Sequence, residues 1–280
     1  MEPPNKPTAA QHLHWFGHTD CGKVRANNED SFLGLRFDAQ EVHHLGKTGD
    51  APTATADFAF AVSDGMGGAK SGEFASRIAI EKITRLLPRS FKQTALGLDA
   101  GHDDILTELF DQIHRALLFL GESYDECSGM GATLSLCWFT PGWMHFGHIG
   151  DSRINYLPAG KNTIRQVSQD DTHVGWLFRK GDINEREAHN HPRRNILQKA
   201  LGAGHQFVDP QLGAIACEPG DIFLLCTDGL TDGLYDNQIL ERLRIPDPAE
   251  AALNPALRLV NASLERSGRD NTTALVIEVQ

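Results

Sequence analysis

Residues 57–68, DFAFAVSDGMGG, constrain this chain more than any other stretch. A short apolar run stops abruptly at Asp-Gly. The run is too short for a helix and rich in Phe and Val, so it reads as a buried strand. Alternation along a strand puts Phe58, Phe60, Val62 and Asp64 on one face and Ala59, Ala61 and Ser63 on the other. A carboxylate at the end of an apolar face is costly to bury unless it is paired or holds a metal. Gly65 lets the backbone turn and come close to whatever Asp64 binds. Residues 221–233, DIFLLCTDGLTDG, repeat the phrase, with Ile222, Leu224, Cys226 and Asp228 on one face. A single Asp-Gly after a strand is ordinary turn chemistry. Two of them, with more acids at other strand ends, point to a cation site.

At 280 residues and 40% hydrophobic, the chain can bury a substantial core as one large domain. A net charge of -11 argues against nucleic acid as a partner, because phosphate-backbone binding needs a basic surface. No apolar run is long enough to cross a bilayer, and MEPPNKPTAAQ lacks a signal-peptide pattern. The expectation is a cytoplasmic monomer with a disordered lead-in over residues 1–12 and one domain over 13–280. Five scattered cysteines, none in a Cys-x-x-Cys pair, read as reduced and mostly buried thiols.

In chain order, 13–19 and 31–37 read as strands, with a polar loop over 20–30 between them. Residues 38–56 lack periodicity and read as a long hairpin loop; the His43-His44 pair within it reads as solvated. Helices are expected over about 70–87, stopped by Pro88, and over about 103–124, where Leu106, Leu109, Phe110, Ile113, Leu117 and Leu120 form an apolar stripe. Strands at 132–139, 143–149, 153–157 and 163–167 form an antiparallel meander. Residues 170–201 are polar and aperiodic and read as short helices and loops forming a mobile flap, with His189 and His191 as a surface pair. The sheet resumes at 207–217, and a short helix covers 236–243. Asn254 caps a last helix with Pro255 at its first position, Leu253, Leu257, Val260 and Leu264 as its stripe and Gly268 at its end. A final strand spans 272–279. Two runs of strands with helices between and after them suggest two sheets face to face, helices outside.

The acids at strand ends and tight loops are Glu29, Asp30, Asp64, Asp151, Asp228 and Asp270. Clustered carboxylates hold their protons unless cations neutralise them. Oxygen ligands without Cys or His select hard ions, Mg²⁺ or Mn²⁺ or else Ca²⁺. Enough acids for two ions suggest a site that activates water and clamps a phosphoryl group. Arg25, just before Glu29 and Asp30, suits a phosphate.

These residues lie in GHTDCGKVRANNED, VSDGMGGAKSGEFAS, GMGATL, HIGDSR, HPRRNILQKALG, CTDGLTDG and GRDNTT. As an ordered set they resemble the metal-dependent protein Ser/Thr phosphatases of the type 2C class, in their bacterial form, from about Trp15 to Val279. The resemblance implies an α+β fold, a four-layer αββα sandwich with a binuclear Mn²⁺ or Mg²⁺ centre at one end. It implies that Asp64 bridges both ions, that Gly65 offers a carbonyl to one, and that Asp228 and Asp270 bind the other. Glu29 and Asp30 would support the site directly or through water, Asp151 would match the acid of a third, weaker ion, and Arg25 would hold the substrate phosphate. A bridging water would attack phosphorus with no phosphoenzyme. The partners implied are phosphorylated proteins made by a Ser/Thr kinase. Thr133 and Ser152 fall in these motifs and are assigned to structure.

Two positions depart from the pattern. Met66 stands where some relatives carry a His that is a candidate general acid, and Asp170-Asp171 stands where the family often has Asp-His. A rival reading is a non-catalytic phosphatase-fold module that binds a phosphoprotein or regulator; such a module would be expected to lose metal ligands or the phosphate Arg, and here all are present. A Ca²⁺-stabilised structural domain leaves Arg25 unexplained.

Overall fold

The computed structural model describes residues 11–67, 71–95, 101–205 and 207–280, without the side chains of 89–95. The phrase at 57–68 does form a strand, β5 (Asp57–Met66), and its two faces serve two different layers. Phe58, Phe60 and Val62 pack into an aromatic core between two sheets, while Ala59 and Ala61 pack under helices. The small face lets a helix come close; the bulky face fills the gap between sheets.

β5 lies in a sheet ordered β3 (Val42–His44), β2 (Asp30–Phe37), β5, β7 (Leu134–Thr140), β8 (Trp143–Ile149) and β12 (Gln211–Ala216). The end of β5 also pairs with β6 (Gly131–Ala132), which pairs with β11 (Leu201–Gly202). The second sheet runs β10 (Arg165–Gln166), β9 (Arg153–Leu157), β13 (Ile222–Cys226), β14 (Thr272–Val279), β1 (His12–Asp20) and β4 (Thr48–Pro52). Every named pairing is antiparallel. Helices α1 (Ser71–Ala95) and α2 (His102–Ser123) cover the first sheet through Ala75, Ala79, Ile83, Leu106, Phe110 and Ile113. Helix α7 (Pro255–Arg266) covers the second, through Ala256, Leu259 and Val260 against Leu224, Cys226 and Val276. The result is the expected αββα sandwich. Short helices α3 (His173–Lys180) and α4 (Glu185–His189) occupy the 170–201 segment, and α5 (Asp228–Gly233) and α6 (Asp236–Arg244) follow β13. No helix among the described residues is long and apolar enough to cross a membrane.

Several expectations are corrected. The 38–56 stretch is not one loop: it holds β3 and β4, and carries the chain from one sheet to the other. Both are edge strands; β3 is exposed throughout and therefore lacks a buried alternation to read. Helix α1 runs through Pro88, where packing of Ile83 and Leu87 outweighs the roughly 3 kcal/mol an interior Pro costs. Its expected start at Lys70, like residues 1–10 of the lead-in, lies outside the described residues. The 207–217 strand begins only at Gln211, and Phe207 is 85% exposed. The strand expected over 163–167 shrinks to Arg165–Gln166. In α7 the inward stripe is Ala256, Leu259, Val260 and Ser263, and Leu253 lies outside the helix, exposed. Asn254 caps α7 as expected, accepting from the N–H groups of Ala256 and Leu257.

At the opposite end of β5 from Asp64, Asp57 is buried and accepts a hydrogen bond from the Trp138 indole at 2.8 Å. Burial pushes its carboxyl up to about 6, with the indole opposing. The folded chain therefore binds this proton more tightly than the unfolded chain does. Stability contributed here is full only below about pH 4 and is lost as pH rises through about 6, by up to about 3 kcal/mol. Asp57→Asn should flatten that part of the stability profile relative to wild type, measured by urea unfolding at pH 4.5 and 7. A variant with the same slope as wild type would show that Asp57 is not the titrating group.

Candidate active site

Asp64 is seated by an exchange of hydroxyls. The β5–β6 and β5–β7 pairings share one register, which puts Thr133 opposite Asp64. The Thr133 N–H donates to the Asp64 carbonyl at 2.8 Å. In return the Asp64 N–H donates to Thr133 Oγ1 at 3.0 Å, while the Ser63 hydroxyl donates to the Thr133 carbonyl at 2.7 Å. Both hydroxyls are buried, so the peptide of Asp64 is pinned by side chains where a regular ladder would use a carbonyl. Gly65 then runs against the first turn of α1: a Cβ there would lie 1.9 Å from the Gly72 carbonyl oxygen. Glu29 completes this corner. Its carbonyl accepts the Gly65 N–H, and its carboxylate lies against Gly72, where the positive end of α1 favours an anion.

The second Asp-Gly differs from expectation. Asp228 does not end a strand; Thr227 leaves β13 and Asp228 opens α5. Gly229 is needed because a Cβ would meet the Asn271 carbonyl at 1.9 Å. Asp270 pairs with Arg25 at 2.7 Å and accepts the Asn271 N–H. The side chain of Asn271 then organises the whole Arg25 loop: its Oδ1 accepts the Glu29 N–H at 2.7 Å, and its Nδ2 donates to the carbonyls of Cys21 and Asn27.

One cleft of about 470 Å³ gathers these groups: Arg25, Glu29, Asp64, Gly65, Asp151, Asp228 and Asp270 all line it. Val24, Met66 and Leu197 are apolar members of its lining. Asp30 is not in the lining. It lies behind, opposite Asp64 in the β2–β5 register, and its Oδ2 accepts 2.7 Å bonds from Thr227 and Thr273 of the other sheet. Asp30 thus ties the two sheets together beneath the cleft. The His43 side chain pairs with Glu41, away from the cleft. His189 is half-buried: its ring stacks on Tyr235 at 4.6 Å and its Nε2 is buried.

Electrostatically the cluster is under strain. Burial first, then neighbouring acids, push Asp64 and Asp228 well above the usual carboxylate range. Burial pushes Asp30 to about 7 against its two Thr bonds, and burial with Asp170 pushes Asp151 to about 7. Burial also raises Glu29, with Arg25 opposing. Asp30 Oδ1 and Asp228 Oδ1 are buried without a hydrogen-bond partner. Among the described residues no three His, Cys, Asp or Glu side chains close into a compact metal cage; the carboxylates ring the cleft instead. An all-oxygen ring with one orphaned carboxylate atom, Asp228 Oδ1, fits hard divalent cations.

Comparison with known proteins agrees with this geometry. Residues 50–266 match the family model for protein phosphatase 2C. The chain belongs to the protein phosphatase 2C family. The chain is 35% identical over 271 residues to the serine/threonine protein phosphatase PstP of Mycobacterium tuberculosis, covering 95% of this chain and 45% of that protein, so it spans about half the length of that relative. The serine/threonine phosphatase stp of Listeria welshimeri is 30% identical, with 95% of this chain and 96% of that protein covered. Among solved structures, the catalytic domain of PstP in complex with two manganese ions superposes with a TM-score of 0.73 at 32% identity, covering 96% of this chain and 99% of that one.

The sequence reading missed Asn271, Thr227 and Thr273 as residues that position the cleft. Asn271 and Thr227 had a signal, since each directly neighbours an expected ligand, Asp270 or Asp228; Thr273 lies in the same motif as Asp270, but only the fold brings the two threonines to Asp30. The packing itself can be tested. Gly65→Ala forces Cβ into the Gly72 backbone, which cannot yield without moving α1. Its expected cost is about 2–3 kcal/mol, in the range of overpacked cores, read from the urea midpoint. Unchanged stability would mean that α1 can shift freely.

Proposed function

We propose that this family member is a metal-dependent protein Ser/Thr phosphatase that hydrolyses phosphoserine and phosphothreonine in proteins modified by a Ser/Thr kinase. The observation that carries the reading is the single cleft in which Asp64, Asp228, Asp270, Glu29 and Asp151 meet one guanidinium, Arg25. Asp64, the Gly65 carbonyl, Asp228 and Asp270 would hold two Mn²⁺ or Mg²⁺ ions, with Glu29 and Asp30 in support and Asp151 at a third, weaker site. When bound, such ions supply Lewis acidity and a water activated for direct attack on phosphorus.

The chain's own residues do the rest. Arg25, half exposed on the rim and joined to Asp270 by one nitrogen, keeps the other guanidinium donors for phosphate oxygens. Asp30 holds the floor between the sheets so that Asp64 and Asp228 keep their spacing. Leu197 and Asn195 bring the 170–201 flap onto the cleft wall, where it would shape peptide choice. Met66 has no proton for a leaving alkoxide, so a proton donor would be a water held on the Asp151 side of the cleft, or general-acid help would be absent.

Two experiments test this. Hydrolysis of p-nitrophenyl phosphate and a phosphothreonine peptide should require Mn²⁺ or Mg²⁺, and Asp64→Asn should lower turnover by at least about 10³-fold, several kcal/mol of lost charge stabilisation. Full activity in excess chelator would overturn the reading. Metal and phosphopeptide binding without turnover would favour the non-catalytic binding module. Separately, proton donation is typically worth about 10²–10⁴-fold and matters most for poor leaving groups. Asp151→Ala should therefore slow the phosphopeptide more than p-nitrophenyl phosphate, and Met66→Ala should change both only modestly. Equal slowing of both substrates by Asp151→Ala would place Asp151 in the core site.

A further inference from the structure

The turn that carries Asp151 is gripped from the flap side by one carboxylate. β8 ends at Ile149, and Gly150 turns the chain with φ +106. The Gly150 N–H donates to Asp171 Oδ2 at 3.0 Å, and the Gly150 carbonyl accepts the Asp171 N–H at 2.7 Å. His148 Nε2 lies 3.1 Å from the same carbonyl. A carbonyl only accepts, so Nε2 carries the proton and Nδ1 accepts from Ser135 Oγ at 2.8 Å; Ser135 in turn meets Ser152 Oγ at 2.9 Å. This chain is buried, so the turn is locked from below and closed from the outside by Asp171.

Asp171 also reaches the far side of the flap. Its carbonyl accepts the Gln198 N–H at 2.7 Å, and its Oδ1 accepts from Gln211 Nε2 at 3.3 Å. Gln211 is itself fixed by both backbone groups of Gln169. The next residue, Thr172, bridges to Leu197, which forms a wall of the cleft whose lining includes Asp151. One half-buried residue therefore joins the Asp151 turn, the sheet edge at β12 and both ends of the flap.

We propose that Asp171 is a positioning residue that fixes Asp151 and the Leu197 wall relative to each other, so that cation binding at Asp151 and substrate binding at the flap share one anchor. This rests on the phosphatase reading of the cleft. The carboxylate is needed as an acceptor for the Gly150 N–H, and its charge is incidental. Asp171→Asn keeps one acceptor oxygen for the Gly150 N–H and gives up only the longer bond from Gln211 Nε2; Asp171→Ala removes both acceptors.

The test compares Mn²⁺ isotherms by calorimetry, Gly150 amide exchange by NMR, and KM and kcat on a phosphothreonine peptide. Asp171→Ala is expected to expose the Gly150 amide to exchange, to weaken the weakest Mn²⁺ step and to raise KM, each by about tenfold, the scale of one lost partner for a buried donor. Asp171→Asn is expected to stay within about threefold of wild type on all three readouts, well inside that scale. Two results would overturn the proposal. One is an alanine variant that melts earlier but keeps wild-type isotherm and KM. The other is an asparagine variant as impaired as the alanine one, which would make charge the active property. If wild type binds Mn²⁺ but hydrolyses nothing, the phosphatase reading fails, while the isotherms and Gly150 exchange still decide the role of Asp171.

Discussion

Mutual repulsion among carboxylates is the constraint on which this structure turns. Asp64, Asp228 and Asp151 are drawn into one cleft with Asp30 directly behind, and each is pushed upward by burial and, in addition, by nearby acids. Buried like charges cost more than any single hydrogen bond returns, so a chain that brings them together needs protons or cations to keep them there. Arg25 bonds to none of these four; its ion pair is with Asp270. The sandwich must therefore hold the acids apart by a fixed amount without neutralising them, and that demand explains details that stability alone would not select.

Chief among those details is close backbone approach. Gly65 against Gly72, and Gly229 against Asn271, bring chain segments from different elements to contacts that no side chain permits. Around them, neutral groups carry the load: Ser63 and Thr133 hold the peptide of Asp64, Thr227 and Thr273 hold Asp30, and Asn271 holds the loop from Cys21 to Glu29. Hydroxyls and amides can orient a carboxylate without cancelling its charge. An Arg or Lys in any of these seats would neutralise an acid that the cleft keeps available for a cation.

The sequence showed the parts of this arrangement that are local. An apolar run ending in Asp-Gly announces a strand and a close approach, and the alternation of Phe and Ala in β5 already separates the inter-sheet core from the helix-facing layer. Asp30 was legible as an acid near the site but not as the tie between the sheets, because Thr227 and Thr273 lie about two hundred residues away in the chain. Edge strands β3 and β4 were illegible for another reason: with little buried on either face they carry no hydrophobic period. Asp228 looked like the end of a strand because in both places an apolar run is followed by a hydroxyl residue and Asp-Gly, Ser63-Asp64-Gly65 and Thr227-Asp228-Gly229. Whether the chain continues as a strand or turns into α5 is decided by the contact of Gly229 with Asn271, which is tertiary.

The flap shows the same separation of tasks at the rim. Arg153 is committed to Asp170 by three hydrogen bonds, and Arg194 to Asp232 by two. A second cavity of about 100 Å³ lies between these pairs and reaches Asp151 and Asp228. Asp170 and Asp232 at the flap are thus each matched by an arginine, while among the described residues no arginine bonds to Asp64, Asp151 or Asp228 in the cleft. Arg153 lowers Asp151 from a distance but does not bond to it, and burial with Asp170 still prevails. If the arginines moved to Asp151 and Asp228, the flap would lose its fastening and the cleft its negative field at once. Matching cation to acid at the periphery, and withholding it at the centre, lets one fold be rigid where it binds the flap and electrostatically hungry where it binds an ion.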